Sequence, residues 1–367
     1  MSDVVLVSTI GEGERRVGRL TLNTPRILNS LDAEMIEIML AKLLEWAEDD
    51  SIAAVYIDGE GEKAFCAGGD VHELRRSSME NPGGPCTYAE NFFAREYQMN
   101  YALFTYPKPV ICWGHGVVMG GGMGVMAGCS HRVVSERTRI GMPEITIALF
   151  PDVGGSYFLN RTPGMIGRFL SLTSVHINAT DALYANLGDV FLAHEQRHSV
   201  VEALASGPWS SDAAANTAIV DEILGMEATV DQPLGVIEPL MPQINALMAG
   251  DDLNDISDRL LGYEGDNVWL QKARNGFAHG SKLAACWIFR QLNDSVNYSL
   301  KEVFDTELRL GANIMRHPEF AEGVRALLVD KDRQPKWQFA RVQDVPEDVL
   351  ESFFSEPSGA PNMSYPW

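Results

Sequence analysis

The sequence predicts an α/β fold in which strand–turn–helix units repeat through the first half and a helical region fills the second. Three observations carry this prediction. Short apolar runs bounded by glycine turns alternate with amphipathic stretches up to about residue 155. Glycine groups stand where strands run into helices, at Gly68-Gly69 and at Gly120–Gly122. Beyond residue 156 the strand, turn and helix alternation stops and helical spacing takes over. Alternating strand and helix patterns of this kind mark parallel crossover units.

Residues 3–9 and 16–22 read as two strands, and Gly11 and Gly13 between them suggest a hairpin turn. A helix follows to about Glu48, capped by Ser30 or Asp32, with Met35, Met39, Leu43 and Trp46 at steps of three and four. Residues 53–58 form the next strand. KAFCAGGDVHELRR then takes a strand end into Gly68-Gly69 and opens a helix at Asp70, which with Glu73 has the form of a capping box. Residues 77–91 read as a loop, and a helix from about Phe92 to Thr105 carries Glu96, whose pattern alone is that of a surface carboxylate. The strand 108–116 leads into the second glycine cluster. Three consecutive glycines are no helix preference, since each costs about 1 kcal/mol against alanine there; they make sense where backbone must approach something closely. A small apolar helix, the strand HRVVSE and the loop MPEITIALFPDVGG complete the half.

In the second half, residues 156–205 and 280–328 read as helical. Residues 206–270 read as a peripheral, acidic helical region, and the tail 346–367 as partly disordered.

Composition excludes several functions. The chain of 367 residues carries a net charge of −21, which repels phosphate backbones, so no nucleic-acid partner is expected. No run of apolar residues is long enough to span a membrane. The N-terminal stretch lacks the features of a secretory signal or a mitochondrial presequence, which leaves a cytoplasmic protein as the expectation. The five cysteines are odd in number, without CxxC spacing, and read as reduced thiols; no zinc ligand set and no cofactor is expected.

The chemistry centres on the glycine turns. If the strands before them are neighbours, a backbone N–H from each can converge on one carbonyl oxygen, forming an oxyanion hole that suits an enolate or a tetrahedral intermediate. Glu144 and Asp152 lie in otherwise apolar loops, where burial among Met142, Ile145, Leu149 and Phe150 is expected to raise the pKa of at least one acid. His72, His115 and His131 read as structural, Cys66 as strand core, and no GxSxG elbow is present.

CAGGD, the GHGxxMGGG cluster and MPEITIALFPDVGG resemble the crotonase (enoyl-CoA hydratase/isomerase) superfamily. FCAGGDVHEL, FFAREYQMN, MPEITIALFPDVGGSYFLNRTPG and EGVRALLVDKDRQPKW resemble in particular its 3-hydroxyisobutyryl-CoA hydrolases, over about residues 10–345. The resemblance implies a crotonase (ClpP-like) fold of repeated ββα units forming a spiral core. It gives a catalytic core over 1–200, a helical C-terminal region over 201–345 covering the core, and a tail over 346–367. It implies an acyl-CoA thioester as substrate, with coenzyme A belonging to the substrate rather than acting as a cofactor. The amides of Gly69 and Gly121 would form the oxyanion hole, with Glu96, Glu144 and Asp152 contacting substrate. Glu144 would serve as nucleophile or general base and Asp152 would hold the substrate 3-hydroxyl. Asn23–Asn29 resembles the coenzyme A-binding segment, so Arg26 is a candidate for its phosphates and Lys282 a weaker one. The resemblance also allows a homo-oligomer.

One departure discriminates among reactions. Hydratases of the superfamily carry a second catalytic glutamate where this chain has Gly124, and Asp152 stands where they have a small residue. Hydration needs an acid and a base together, so the relocated pair favours hydrolysis, with hydration or isomerisation as the alternative and a non-catalytic scaffold as the alternative of another class.

Overall fold

The computed structural model describes residues 3–367. Among the described residues, nine strands form two sheets. The larger holds β1 (Val5–Ile10), β2 (Arg16–Leu22), β3 (Ile52–Gly59), β5 (Val110–Gly114), β7 (His131–Val134) and β9 (Val190–Phe191), in that order. Only β1–β2 is antiparallel; the rest of the sheet is parallel. The smaller sheet is parallel and holds β4 (Ala64–Cys66), β6 (Val117–Met119) and β8 (Arg139–Gly141). Three successive β-β units therefore each send their first strand to the large sheet and their second to the small one.

Local signals explain the helices that frame the site. Helix α1 (Ala33–Glu48) starts where the Asp32 carboxylate accepts the Met35 amide at 2.8 Å, and it buries Met35, Met39, Leu43 and Trp46. Helix α2 (Val71–Glu80) is capped by Asp70, which accepts from the amides of His72 and Glu73. Only half of the expected capping box forms, because Glu73 pairs with Arg76. Helix α3 (Thr87–Phe104) begins earlier than the sequence suggests, so much of the expected loop 77–91 is helical. Helix α4 (Gly121–Gly128) is short and wholly buried.

Strand β3 is buried along its whole length because the sheet is covered on both faces. Val55 and Ile57 join the main apolar cluster with α1 and α3, while Ala54 and Tyr56 face a second cluster under helices Arg197–Ala205 and Ala213–Leu224. At the end of β3 the buried Asp58 accepts from Arg19 at 2.7 Å, Thr21 at 2.6 Å and Arg197 at 2.6 Å, tying the covering helix to the sheet.

Several expectations need correction. The stretch 108–116 is not one strand into the glycines: β5 stops at Gly114, the chain turns at Gly116 (φ +57°), and β6 starts in the other sheet. β8 and β9 were not anticipated, being only three and two residues long. The tail is ordered. It forms helix Glu347–Phe354, Phe353 packs on Trp287 at 4.8 Å, and Tyr365 packs on Tyr101 at 4.4 Å. Trp367 Nε1 donates to Thr105 Oγ1 at 2.7 Å. Aromatic contacts with distant residues fasten this segment.

Candidate active site

The small sheet builds the site. Its three strands run parallel, with Cys66 beside Val118 and Met119 beside Gly141, so their C-terminal ends lie side by side. β4 leads to Gly68-Gly69, β6 to Gly120-Gly121, and β8 to Glu144 on the 3-10 turn Glu144–Ile147. Neighbouring strand ends are what the convergence of the two glycine turns required.

The conformations explain the glycines. Gly68 (φ +106°) and Gly120 (φ +48°) adopt backbone angles that other residues avoid. Gly121 is the first residue of α4, whose N-terminal amides have no partner within the helix. A Cβ on Gly121 would stand 3.4 Å from the Gly69 nitrogen and would collide with Glu96 Oε1. A Cβ on Gly120 would stand 3.1 Å from Glu144 Oε1. The two amides and two of the carboxyls thus surround one small volume.

That volume is the inner part of a cavity of about 580 Å³, lined among others by Gly69, Glu96, Gly121, Glu144 and Asp152. Its size suits a small organic ligand. All three acids are buried, Glu96 contrary to the surface position its pattern suggested. Glu96 Oε1 and Glu144 Oε2 have no hydrogen-bond partner among the described residues. Asp152 Oδ2 accepts from the Tyr97 hydroxyl at 2.7 Å.

Burial is the main electrostatic influence. It pushes Glu144 well above the usual carboxyl range, with the Asp152 carboxylate adding to the rise. Glu96 is raised by burial and by Asp152 in the same way. Asp152 is pushed up to about 7 by burial, against the Tyr97 hydrogen bond, which favours its charged form. Carboxyls raised toward neutrality can both accept and hold a proton, which general acid–base work requires. Amide donors near an acid pair can stabilise an oxyanion while a proton moves.

The C-terminal region closes the site. Leu327 and Leu328, on the π-helical turn Arg325–Val329, line the cavity. Helix Pro318–Val324 approaches the Glu144 turn so closely that a Cβ on Gly323 would fall 2.6 Å from Ile147 Cα. Ser281 N donates to Ile145 O at 3.1 Å.

Two candidates lie elsewhere. Arg26 is exposed and borders a separate depression with Glu60, Glu62 and Lys63. Its neighbour Ile27 reaches the main cavity. Lys282 is buried, and its ammonium donates to the carbonyls of Phe277, Ala278 and Gly280 at 2.7–3.0 Å. Its three donors cap the preceding helix, which removes it as a phosphate ligand. His115 is buried with Nε2 at 2.7 Å from Gly61 O, Cys66 is strand core, and His131 faces Asp221. His72 reaches the cavity wall.

Sequence reasoning missed Tyr97 and Glu307. Glu307, on helix Leu300–Met315, is fully buried and accepts the amides of Gly154 at 2.8 Å and Ser156 at 3.0 Å. An acid inside the apolar stripe Phe304, Leu308, Gly311 was the available signal.

Position 124 has no room for a side chain. A Cβ there would meet Val153 Cγ2 at 2.5 Å and Asn100 Nδ2 at 3.1 Å. Asp152 enters through the turn just before this contact, where Val153 (φ +54°) and Gly154 (φ +83°) are left-handed.

A family model described as enoyl-CoA hydratase/isomerase matches residues 17–354. A mitochondrial 3-hydroxyisobutyryl-CoA hydrolase of Xenopus laevis is 35% identical over 340 residues, 92% of this chain and 86% of that protein. The Homo sapiens protein of the same name is 34% identical over 338 residues, with the same shares covered. Among solved structures, one titled as a carnitinyl-CoA dehydratase of Mycobacterium thermoresistibile is 31% identical with a TM-score of 0.86, covering 98% of each chain. Another, titled as an enoyl-CoA hydratase of Rhodobacter sphaeroides, is 31% identical with a TM-score of 0.85, covering 99% of this chain and 100% of that one. The folds agree over nearly the whole chain, and the names divide between hydrolase on one side and dehydratase or hydratase on the other. The fold, the matched span and the curated relatives lead to one conclusion: the chain belongs to the enoyl-CoA hydratase/isomerase family, in its 3-hydroxyisobutyryl-CoA hydrolase branch.

Proposed function

We propose that this protein hydrolyses the thioester of 3-hydroxyisobutyryl-CoA, as in valine breakdown, releasing 3-hydroxyisobutyrate and coenzyme A. The observation that carries the reading is the meeting of the Gly69 and Gly121 amides with Glu144 and Asp152 while position 124 is filled by Val153 and Asn100. The relatives named as hydrolases support it.

In this reading the thioester oxygen lies between the Gly69 and Gly121 amides. Glu144 either takes a proton from water as the water oxygen attacks the carbonyl, or attacks directly to give a mixed anhydride that water then opens. The tetrahedral oxyanion collapses, the carbon–sulfur bond breaks, and the coenzyme A sulfur receives the proton. The products are one carboxylic acid and one thiol, and water is the only co-substrate, so no cofactor is needed. Asp152 holds the 3-hydroxyl, and Glu96 borders the acyl group. Arg26, one residue from the cavity wall, remains our candidate for the coenzyme A phosphates. We keep a cytoplasmic location as a proposal, and fractionation tests it against the mitochondrial naming of the relatives.

The structures titled as a dehydratase and a hydratase favour a second reading, hydration of an enoyl-CoA. Thiol release from a panel of acyl-CoA esters, with crotonyl-CoA hydration in parallel, decides between the two. Glu144→Gln and Asp152→Asn are each expected to lower thiol release at least about 100-fold. Hydration without thiol release would reject the hydrolase reading, and full activity in both variants would reject the site.

A further inference from the structure

We propose that Glu307, supplied by a helix of the C-terminal region, is a positioning residue for Asp152 and thereby sets the preference for substrates carrying a 3-hydroxyl. The proposal rests on the reading of Asp152 given above.

Glu307 is fully buried and lies outside the cavity wall, so it touches no substrate. Its two carboxyl oxygens accept from two backbone amides, Gly154 and Ser156, and so span the turn directly after Asp152. That turn needs support. Val153 is β-branched yet left-handed (φ +54°), followed by Gly154 at φ +83°, a conformation that persists only when its surroundings impose it. Asp152 is thus held at two points. Tyr97 donates to its Oδ2, and Glu307 clamps the backbone that carries it.

The choice of an acid at 307 is specific to this task. Two parallel N–H donors ask for two acceptors, which a carboxylate has and a carboxamide lacks. The position is costly for an acid: burial pushes the Glu307 carboxyl up to about 8 and the nearby Asp152 carboxylate adds to the rise, against the Ser156 and Gly154 amides, which favour its charged form. An apolar residue would fill the helix face without that conflict but would leave both amides unpaired.

The test compares two esters, 3-hydroxyisobutyryl-CoA and isobutyryl-CoA, on wild type, Glu307→Gln, Glu307→Asp and Asp152→Asn. Glutamine presents one acceptor and one donor to the two amides, and aspartate keeps the charge but falls short by one methylene. Each is expected to lower kcat/KM for the hydroxylated ester about 10–100-fold, as expected for a displaced contact group, and for the plain ester less than about threefold. The ratio between esters does not depend on how many molecules are folded, so simple loss of structure cannot move it. The double variant Glu307→Gln/Asp152→Asn should discriminate no less than Asp152→Asn alone. Equal loss on both esters in the Glu307 variants overturns the proposal. So does a wild type that cleaves both without preference, although hydrolysis itself would then stand. Should wild type cleave neither, the hydrolase reading fails, and calorimetric binding of the two esters to the same variants decides the Glu307 assignment by the same ratio. Gln291→Ala, which removes a brace on the Ser156 hydroxyl at 3.2 Å, is the control for general loosening and should leave the ratio unchanged.

Discussion

Replacing Gly121 by alanine tests the core of the site with one carbon atom. The new Cβ would sit 3.4 Å from the Gly69 nitrogen and 3.2 Å from Leu31 Cδ1, and would collide with Glu96 Oε1. Gly121 is not among the residues with positive φ, so alanine meets no backbone strain there. Stability should change little, and melting should stay within a few degrees of wild type. The collision must be relieved by moving Glu96 or the first turn of α4. Either shift misaligns the Gly121 amide with the Gly69 amide. Losing one oxyanion donor costs about 2.7–4 kcal/mol, so kcat should fall about 100- to 1000-fold. Released thiol is followed with a thiol-reactive chromophore, and the chain's five cysteines are buried, which keeps the background low. A folded variant whose kcat stays within threefold of wild type would refute the reasoning, because the hole would then lie elsewhere.

Two further predictions concern the cost of the site and of its frame. The Asp152 carboxyl is pushed up to about 7 from a usual value of 3.8. Between these pH values the folded state keeps a proton that the unfolded state has lost, so stability falls as pH rises, by about 4 kcal/mol at most. Asp152→Asn should therefore be more stable than wild type at pH 8 by urea unfolding, with the gap closing toward pH 4; a less stable variant at pH 8 contradicts this. Asp58→Asn should cost about 2–3 kcal/mol, less than for a wholly buried pair because Arg19 and Arg197 keep 28% and 18% of their side chains exposed. A urea midpoint unchanged from wild type would show that the two arginines are solvated well enough without Asp58.

Much of the first half was legible because its signals are local. Asp32, Met35, Met39, Leu43 and Trp46 announce α1 through capping and spacing, and the structure uses them so. Gly68-Gly69 and Gly120–Gly122 read as turns where backbone faces something, and Gly68, Gly69, Gly120 and Gly121 line the cavity. Strands of two or three residues escaped notice, since β8 and β9 are too short to show alternation. The tail was misread because its anchors, Phe353, Tyr365 and Trp367, find their partners far away in sequence.

The acids divide in the same way. Glu144 and Asp152 could be picked out by their apolar loops, yet Glu96 looked like a surface residue on its own helix. Its burial comes in part from α4, which packs against α3 only in three dimensions. Lys282 looked available to phosphates, whereas the helix end before it takes all three of its donors.

By itself, then, the sequence determined the alternation of strands and helices, the glycine turns, the two loop acids and the absence of a side chain at position 124. These follow from backbone angles, spacing and residue type, which a linear chain displays directly. Only the tertiary structure decided that β4, β6 and β8 end side by side and that Val153 and Asn100 fill the space at Gly124. It also decided that the Tyr97 hydroxyl bonds Asp152 and that Glu307 accepts the amides of the turn after it. Those facts depend on burial and on hydrogen bonds between distant segments, and packing alone brings such partners together.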